Sequence, residues 1–272
     1  MRPSVLLRNL NAPKTLPITV ESGEGVYSRA KALVMVYKTG ILNVWRNRKV
    51  AADIRRRYHA SSGLDLAKSV MERSNLYRIQ QNLNKVPAKP ITVTREELLT
   101  VLRTERDWPK LPGFAVLFAV FFELMPILLL AFPRLSPSTC YSKHFQDKIV
   151  TAYRHEQAKL QDFKPGFSCS THQLKDDQAR ALAHVVLPHA PFLKKYMPIS
   201  WVRNRLIDHL IIVHADNALL QRDPLETLTP LELEKACMMR ALPLGSPSQQ
   251  MSDLDTWITE FKEPADAGYF FK

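Results

Sequence analysis
The chain has 272 residues, a formal net charge of +12, 46% hydrophobic residues, eight glycines and three cysteines, enough for one or two domains with a sizeable core; its mean hydropathy of −0.18 suits a mostly polar protein with one membrane segment. The glycines at 23, 25, 40, 63, 113, 166, 245 and 268 spell neither GxGxxG nor GxxxxGK[ST], so nucleotide binding has no support. Cys140, Cys169 and Cys237 form no CxxC pair, and Lys159 stands where a His155-Glu156 metalloprotease helix needs its second histidine, so no disulfide framework, metal or cofactor is implied and a reducing compartment fits.

The charge is unevenly placed: residues 1–110 hold 21 Lys and Arg against 9 Asp and Glu, whereas residues 111–272 hold 17 of each. A basic first part calls for an anionic partner, and composition leaves both lipid headgroups and nucleic acid open. Residues 1–25 carry Arg2, Arg8 and Lys14 with no acid before Glu21, which reads either as a mitochondrial targeting segment or as a disordered basic terminus, since Pro3, Pro13 and Pro17 interrupt the helix such a signal prefers. The basic helical region 26–110 follows. Val26, Ala30, Leu33, Tyr37, Ile41, Val44 and Trp45 recur at amphipathic spacing, with Arg29, Lys31, Lys38, Arg46, Arg48 and Lys49 on the other faces and Arg55, Arg56 and Arg57 after them. Such a helix either lies in a membrane interface or packs on a core with its basic face in water.

Residues 64–84 predict a further helix, ended by Pro87 and Pro90, and Thr94-Arg95-Glu96-Glu97 is a capping box opening another to about Arg106. The stretch 111–133, LPGFAVLFAVFFELMPILLLAFP, is the one run long and apolar enough to cross a bilayer. Its nineteen residues from Phe114 to Phe132 make about 28 Å of helix against a hydrocarbon core of about 30 Å. Thirteen Leu, Ile, Val and Phe residues favour insertion by about 6 kcal/mol, against about 3 kcal/mol for the central Glu123. The alternative is a buried helix of a soluble protein, kinked at Pro126 and holding a satisfied core glutamate.

In the last part, 134–272, helices are expected at about 143–161, 170–187 and 198–220, the last with Ile199, Val202, Leu206, Leu210 and Val213 along one face. Thr229-Pro230-Leu231-Glu232 is a second capping box, opening a helix to Met239, and Leu254, Trp257, Ile258 and Phe261 mark a terminal helix. No strand alternation or hairpin signal appears, so the soluble part should be all-α.

Thr94-Arg95, Leu102-Arg103-Thr104 and Asp107, then an apolar segment with an internal acid and proline, then Phe132-Pro133 through Pro137, Ser138 and Thr139, resemble the core of the LETM family. Further on, Asp216-Asn217, Leu228-Thr229, Glu232-Leu233, Ala236-Cys237 and Arg240 resemble its L-T-x-x-E-L-x-x-A-C-x-x-R-G run, with Leu254 and Trp257 as its L-x-x-W. Together the matching blocks cover roughly 27–262. The resemblance implies an all-α protein with one transmembrane helix and a helical, 14-3-3-like ribosome-binding domain, in the mitochondrial inner membrane with that domain in the matrix.

The chain also departs from the family pattern. Ala241 replaces the usual glycine after the arginine, Ala119 stands near a missing proline, Leu130 replaces a basic residue, and Glu123 lies three rather than four residues before Pro126. The coiled coil and EF-hand-like region of longer members has no counterpart here, and without a D-x-[DN]-x-[DN]-G loop calcium sensing has no sequence basis.

The resemblance implies a non-enzymatic factor that binds the mitochondrial ribosome and supports translation or membrane insertion of its products. Independently, no acid occurs between Asp177 and Asp208, where Arg180, Lys194, Lys195, Arg203 and Arg205 interleave with Phe192, Tyr196 and Trp201. Those residues suit RNA phosphates or acidic ribosomal proteins, or form a solvated helix face over core aromatics. A second reading from the family is cation/proton exchange through Glu123 beside Pro126, which would require a homo-oligomer; a third is a soluble helical binding module. Charges flanking the apolar stretch, Arg95, Arg103, Arg106 and Lys110 against Arg134, Lys143 and Lys148, barely bias its orientation, and the basic helices before it are expected to lie against anionic inner-membrane lipid.

Overall fold
The computed structural model describes residues 26–83, 92–120, 137–138, 143–163, 170–187, 196–261 and 267–271. Regular structure among these is entirely helical: α1 (Val26–Tyr58), α2 (Gly63–Asn82), α3 (Arg95–Asp107), α4 (Lys110–Val120), α5 (Lys143–Leu160), α6 (Asp176–Val186), α7 (Ile199–Leu220), α8 (Pro230–Met239) and α9 (Pro247–Glu260), with 3-10 turns at Gln161–Phe163, Leu225–Thr227 and Ala267–Phe271. The bounds of α2, α3, α5, α7 and α8 follow those read from sequence to within a few residues, whereas α1 runs on past Trp45 to Tyr58, α6 starts later than position 170, α9 starts earlier than Leu254, and the expected helix over 111–133 lies only partly among the described residues. Contacts divide the chain into one unit of Met1–Leu66 and Glu96–Lys148 and a second of Ala67–Arg95 and Ile149–Lys272.

In the first unit α1 buries Val44, Asn47, Ala51 and Ile54, a spacing of three, four and three that keeps one stripe inward. Its end is pinned to α3: Glu97 accepts from Arg57 at 2.7 Å and from the Tyr58 hydroxyl at 3.2 Å. Nearer the other end of α3, Trp108 meets Trp45 edge-on at 5.4 Å and lies 3.8 Å under the Arg48 guanidinium, so the two helices run roughly antiparallel. Helix α1 stops in a Schellman turn, with His59 at φ 54° and the Ala60 N–H donating to the Arg55 carbonyl at 2.9 Å. The chain re-enters a helix at Gly63, whose N–H donates to Glu105 at 2.9 Å, so α3 supplies the partner that the first turn of α2 lacks. A Cβ at Gly63 would come within 2.9 Å of both the Glu105 and Leu102 side chains, so a larger residue here would have to displace the ends of those two side chains, the Glu105 carboxylate that caps α2 among them.

Among the described residues no helix is long and apolar enough to cross a membrane. Helix α4 takes in the first part of the apolar stretch, with Leu111 and Phe114 buried and Val116 and Val120 exposed. Glu123, Pro126 and Pro133 lie outside the described residues.

The second unit is a helical bundle in which α6 packs on α7 and α8 packs on both α9 and α6. Leu182, Val186, Val202, Leu206, Leu210, Val213, Leu233, Leu254, Trp257, Phe261, Phe270 and Phe271 form one continuous apolar core. The expected capping box at α8 forms: Thr229 Oγ1 accepts from the Glu232 N–H and the Glu232 carboxylate from the Thr229 N–H. Helix α9 is capped by Ser246, with proline next at Pro247. Tyr153 of α5 donates its hydroxyl to the Leu242 carbonyl at 2.7 Å, and burial raises that phenol far above its ordinary range.

Candidate functional site
Helix α7 ends in a segment, IIVHADNALL, whose apolar neighbours carry Asp216 into the interior. Asp216 is 0% exposed and accepts from two arginines, Arg95 Nε on Oδ1 at 2.6 Å and Arg240 Nη2 on Oδ2 at 2.8 Å. Arg240, also 0% exposed, gives Nε and Nη2 to the Asn217 Oδ1 at 3.1 and 2.6 Å and Nη1 to the Ala236 carbonyl at 2.9 Å, and lies 5.3 Å over the Trp257 ring. Burial is the largest influence on the Asp216 carboxyl and would raise it, but the charges and hydrogen bonds of Arg95 and Arg240 together hold it below the ordinary carboxylate range. The motif residues Arg95, Asp216, Asn217, Arg240 and Trp257, up to 162 positions apart in sequence, thus meet in one buried ion cluster. Its arrangement is that of a structural ion cluster: two guanidinium groups share one carboxylate, and the Asn217 side chain and the Ala236 carbonyl take the remaining hydrogen bonds of Arg240.

The end of α8 explains one departure from the family pattern. Ala241 sits at φ 57°, with its N–H directed at the Met238 carbonyl and the Leu242 N–H donating to the Cys237 carbonyl at 3.0 Å, a Schellman turn that favours glycine at this position. Beside it His209 Nε2 donates to the Met239 carbonyl at 2.7 Å, and burial pushes the imidazole down to about 4, so it is neutral at physiological pH. Cys237 is buried and its thiol is pushed up to about 11 by that burial, which makes it a packing residue rather than a nucleophile. Among the described residues no three His, Cys, Asp or Glu side chains are grouped to hold a metal ion.

A second cluster, in the first unit, brings Asp107 and Ser138 together. Asp107 is buried at the last residue of α3, and its Oδ2 accepts from the Ser138 N–H at 3.0 Å and from the Ser138 hydroxyl, while Lys110 Nζ lies 3.3 Å from Oδ1. Pro137, next to Ser138, is buried. The residues flanking the apolar stretch on either side are therefore joined directly.

The basic set proposed from sequence is divided. Arg203 donates to the Leu174 carbonyl and to Asp176, both at 2.8 Å, which fixes the start of α6 on α7. Arg205 stands 4.9 Å over the Trp201 ring, and Arg180 on α6 is half-buried and engaged with its neighbours. Lys194 and Lys195 lie outside the described residues, next to Tyr196, which is 78% exposed. Of the remaining motif residues, Thr94 and Arg103 are engaged with neighbours and Glu232 caps α8. Asp216 is the centre that sequence reasoning quoted as motif but did not single out; an acid inside an otherwise apolar helical run was the available signal.

Residues 25–194 match the family model of the pentamidine resistance factor domain, and residues 141–262 match that of the LETM1-like RBD. A mitochondrial pentamidine resistance factor of Saccharomyces cerevisiae is 26% identical, in an alignment covering 56% of this chain and 42% of the yeast protein, so the chain spans less than half of that relative. No solved structure matches.

Proposed function
The chain belongs to the pentamidine resistance factor domain family and is LETM-related, and from that premise we propose that it is a mitochondrial inner-membrane protein without catalytic activity that binds the mitochondrial ribosome and supports translation or insertion of its products. The observation that carries the reading is the coincidence of the LETM1-like RBD match, 141–262, with a single helical core in the second unit. In that core the motif residues are spent on a buried ion cluster, which leaves recognition to the surface. The candidates are Arg205 with Trp201, on α7, and Lys194 and Lys195, which precede it in sequence outside the described residues, a combination of cations and aromatic side chains that suits RNA phosphates and acidic ribosomal proteins. A mitochondrial location is supported by the yeast relative, and a membrane anchor by the apolar stretch 111–133.

The test is co-sedimentation of the full chain with mitochondrial ribosomes. Charge reversal at Lys194, Lys195 and Arg205 to glutamate is expected to weaken it at least tenfold near physiological salt and to flatten its salt dependence. Arg203 is left intact because it holds α6 on α7. Unchanged sedimentation of the triple variant would show these residues to be ordinary surface.

A further inference from the structure
We propose that the outward side of α2 is a docking seam for a second copy of this chain, in which the two helices pair antiparallel through Leu76, Ile79 and Leu83. Helix α2 is held by its first two turns, where Gly63, Leu66, Ala67 and Val70 are buried. Beyond Val70 none of its described side chains is buried, and Leu76, Tyr77, Ile79 and Leu83 are 53%, 38%, 51% and 58% exposed. Leu83 directly follows the helix and keeps its setting, its N–H donating to the Ile79 carbonyl at 3.1 Å. Taking about 100° per residue, Leu76, Ile79 and Leu83 share an arc of about 60°, which points about 160° away from the buried side. The arc is therefore not the margin of the protein's own core. A helical segment this short with nothing buried is marginal in water, whereas an apolar side turned outward is what a partner helix covers.

Spacing and charge together identify the partner. Leu76, Ile79 and Leu83 repeat at the three- and four-residue intervals of heptad a and d positions, the spacing by which one helix takes the knobs of another. Residues 74–83 carry one charge, Arg78, which lies about 130° round the helix from the arc. RNA phosphates and anionic headgroups find no cation on this part of the arc. A chain of net charge +12 repels its own copy unless the meeting surfaces are neutral, as they are here.

In an antiparallel pair Ile79 meets Leu83 of the other copy, and Gln80, at the flank, comes next to its own counterpart. An amide both donates and accepts, so it can pair with itself where a lysine or a glutamate would repel. Parallel pairing in register would instead set Lys68 against Arg73 of the other copy. With so few apolar positions the seam is smaller than a permanent interface, so the pair forms in a concentration-dependent way. It rests on the α2 surface alone, and on neither ribosome binding nor ion exchange.

Sedimentation velocity of the full chain in detergent, over a wide range of concentration, tests the seam, and a dimer is expected to grow in as concentration rises. Ile79→Glu and Leu83→Lys, both at exposed positions, should each weaken the dimer at least about tenfold. Mixing the two variants should restore pairing, because the introduced acid then meets the introduced base; a loss through misfolding would not be rescued in this way. In a Cys140→Ala, Cys169→Ala background that retains the buried Cys237, a short bis-maleimide should join copies at Gln80→Cys and leave Arg78→Cys copies unjoined. A chain that is monomeric throughout, a dimer indifferent to Ile79→Glu, or equal crosslinking at the two sites overturns the proposal. So does a mitochondrial protein other than this chain joined at Gln80→Cys in its place.

Discussion

Arg95 and Asp107 stand at the two ends of α3 with charges opposed to the helix dipole, a cation at the start and an acid at the finish. Each is held by a tertiary partner instead, Asp216 for Arg95 and Ser138 for Asp107, so local preference gives way where the fold needs a fixed contact. Asp216 answers two buried arginines at once, and its replacement by asparagine leaves both guanidinium groups without an anionic partner. Asp216→Asn is expected to lose at least about 3 kcal/mol in chemical denaturation, and a loss below about 1 kcal/mol would show the cluster to be dispensable. Ala241 carries a smaller strain: Ala241→Gly should be neutral or gain up to about 1 kcal/mol, whereas Ala241→Val should lose about 2 kcal/mol or more at φ 57°. His209 binds its proton more weakly folded, at about 4, than unfolded, at its ordinary 6.5. The unfolded chain therefore takes up more protons between those values, and stability should fall by roughly 2 to 3 kcal/mol as pH drops from 6.5 to 4. His209→Gln should flatten that slope.

At the level of elements, the helices were legible because each carries its own punctuation. Thr229 and Glu232 form the reciprocal cap read from their spacing, with Pro230 at the first helical position; Thr229→Ala should cost about 1 kcal/mol, measured as a shift in the denaturation midpoint. The buried stripe of α7, Val202, Leu206, Leu210 and Val213, follows the expected periodicity. What sequence could not supply is pairing. Nothing local says that Arg95 and Arg240 share one carboxylate, that Glu105 caps α2 through Gly63, or that Arg203 serves Asp176 rather than a ligand. Periodicity reports which side of a helix is inward; it carries no information about which residue it meets there. The Ala241 departure, visible as a mismatch with the family pattern, acquired its physical meaning only from the Schellman turn.

On the scale of the whole molecule, the composition showed a basic first part and a neutral second part, whereas the structure divides the chain into units that cross that boundary, with residues 67–95 in the second. The first unit carries the exposed cations of α1 and the Asp107–Ser138 contact; the second is a bundle whose motif charges are buried inside it. The central claim is that this second unit serves a ribosome. Purification of the full chain from detergent-solubilised mitochondria, followed by sedimentation through a sucrose cushion, tests it most directly. The account predicts that the chain pellets with mitochondrial ribosomal RNA at low ionic strength and is progressively released as salt rises; a chain that stays at the top of the cushion at every salt concentration, while remaining folded, would contradict it.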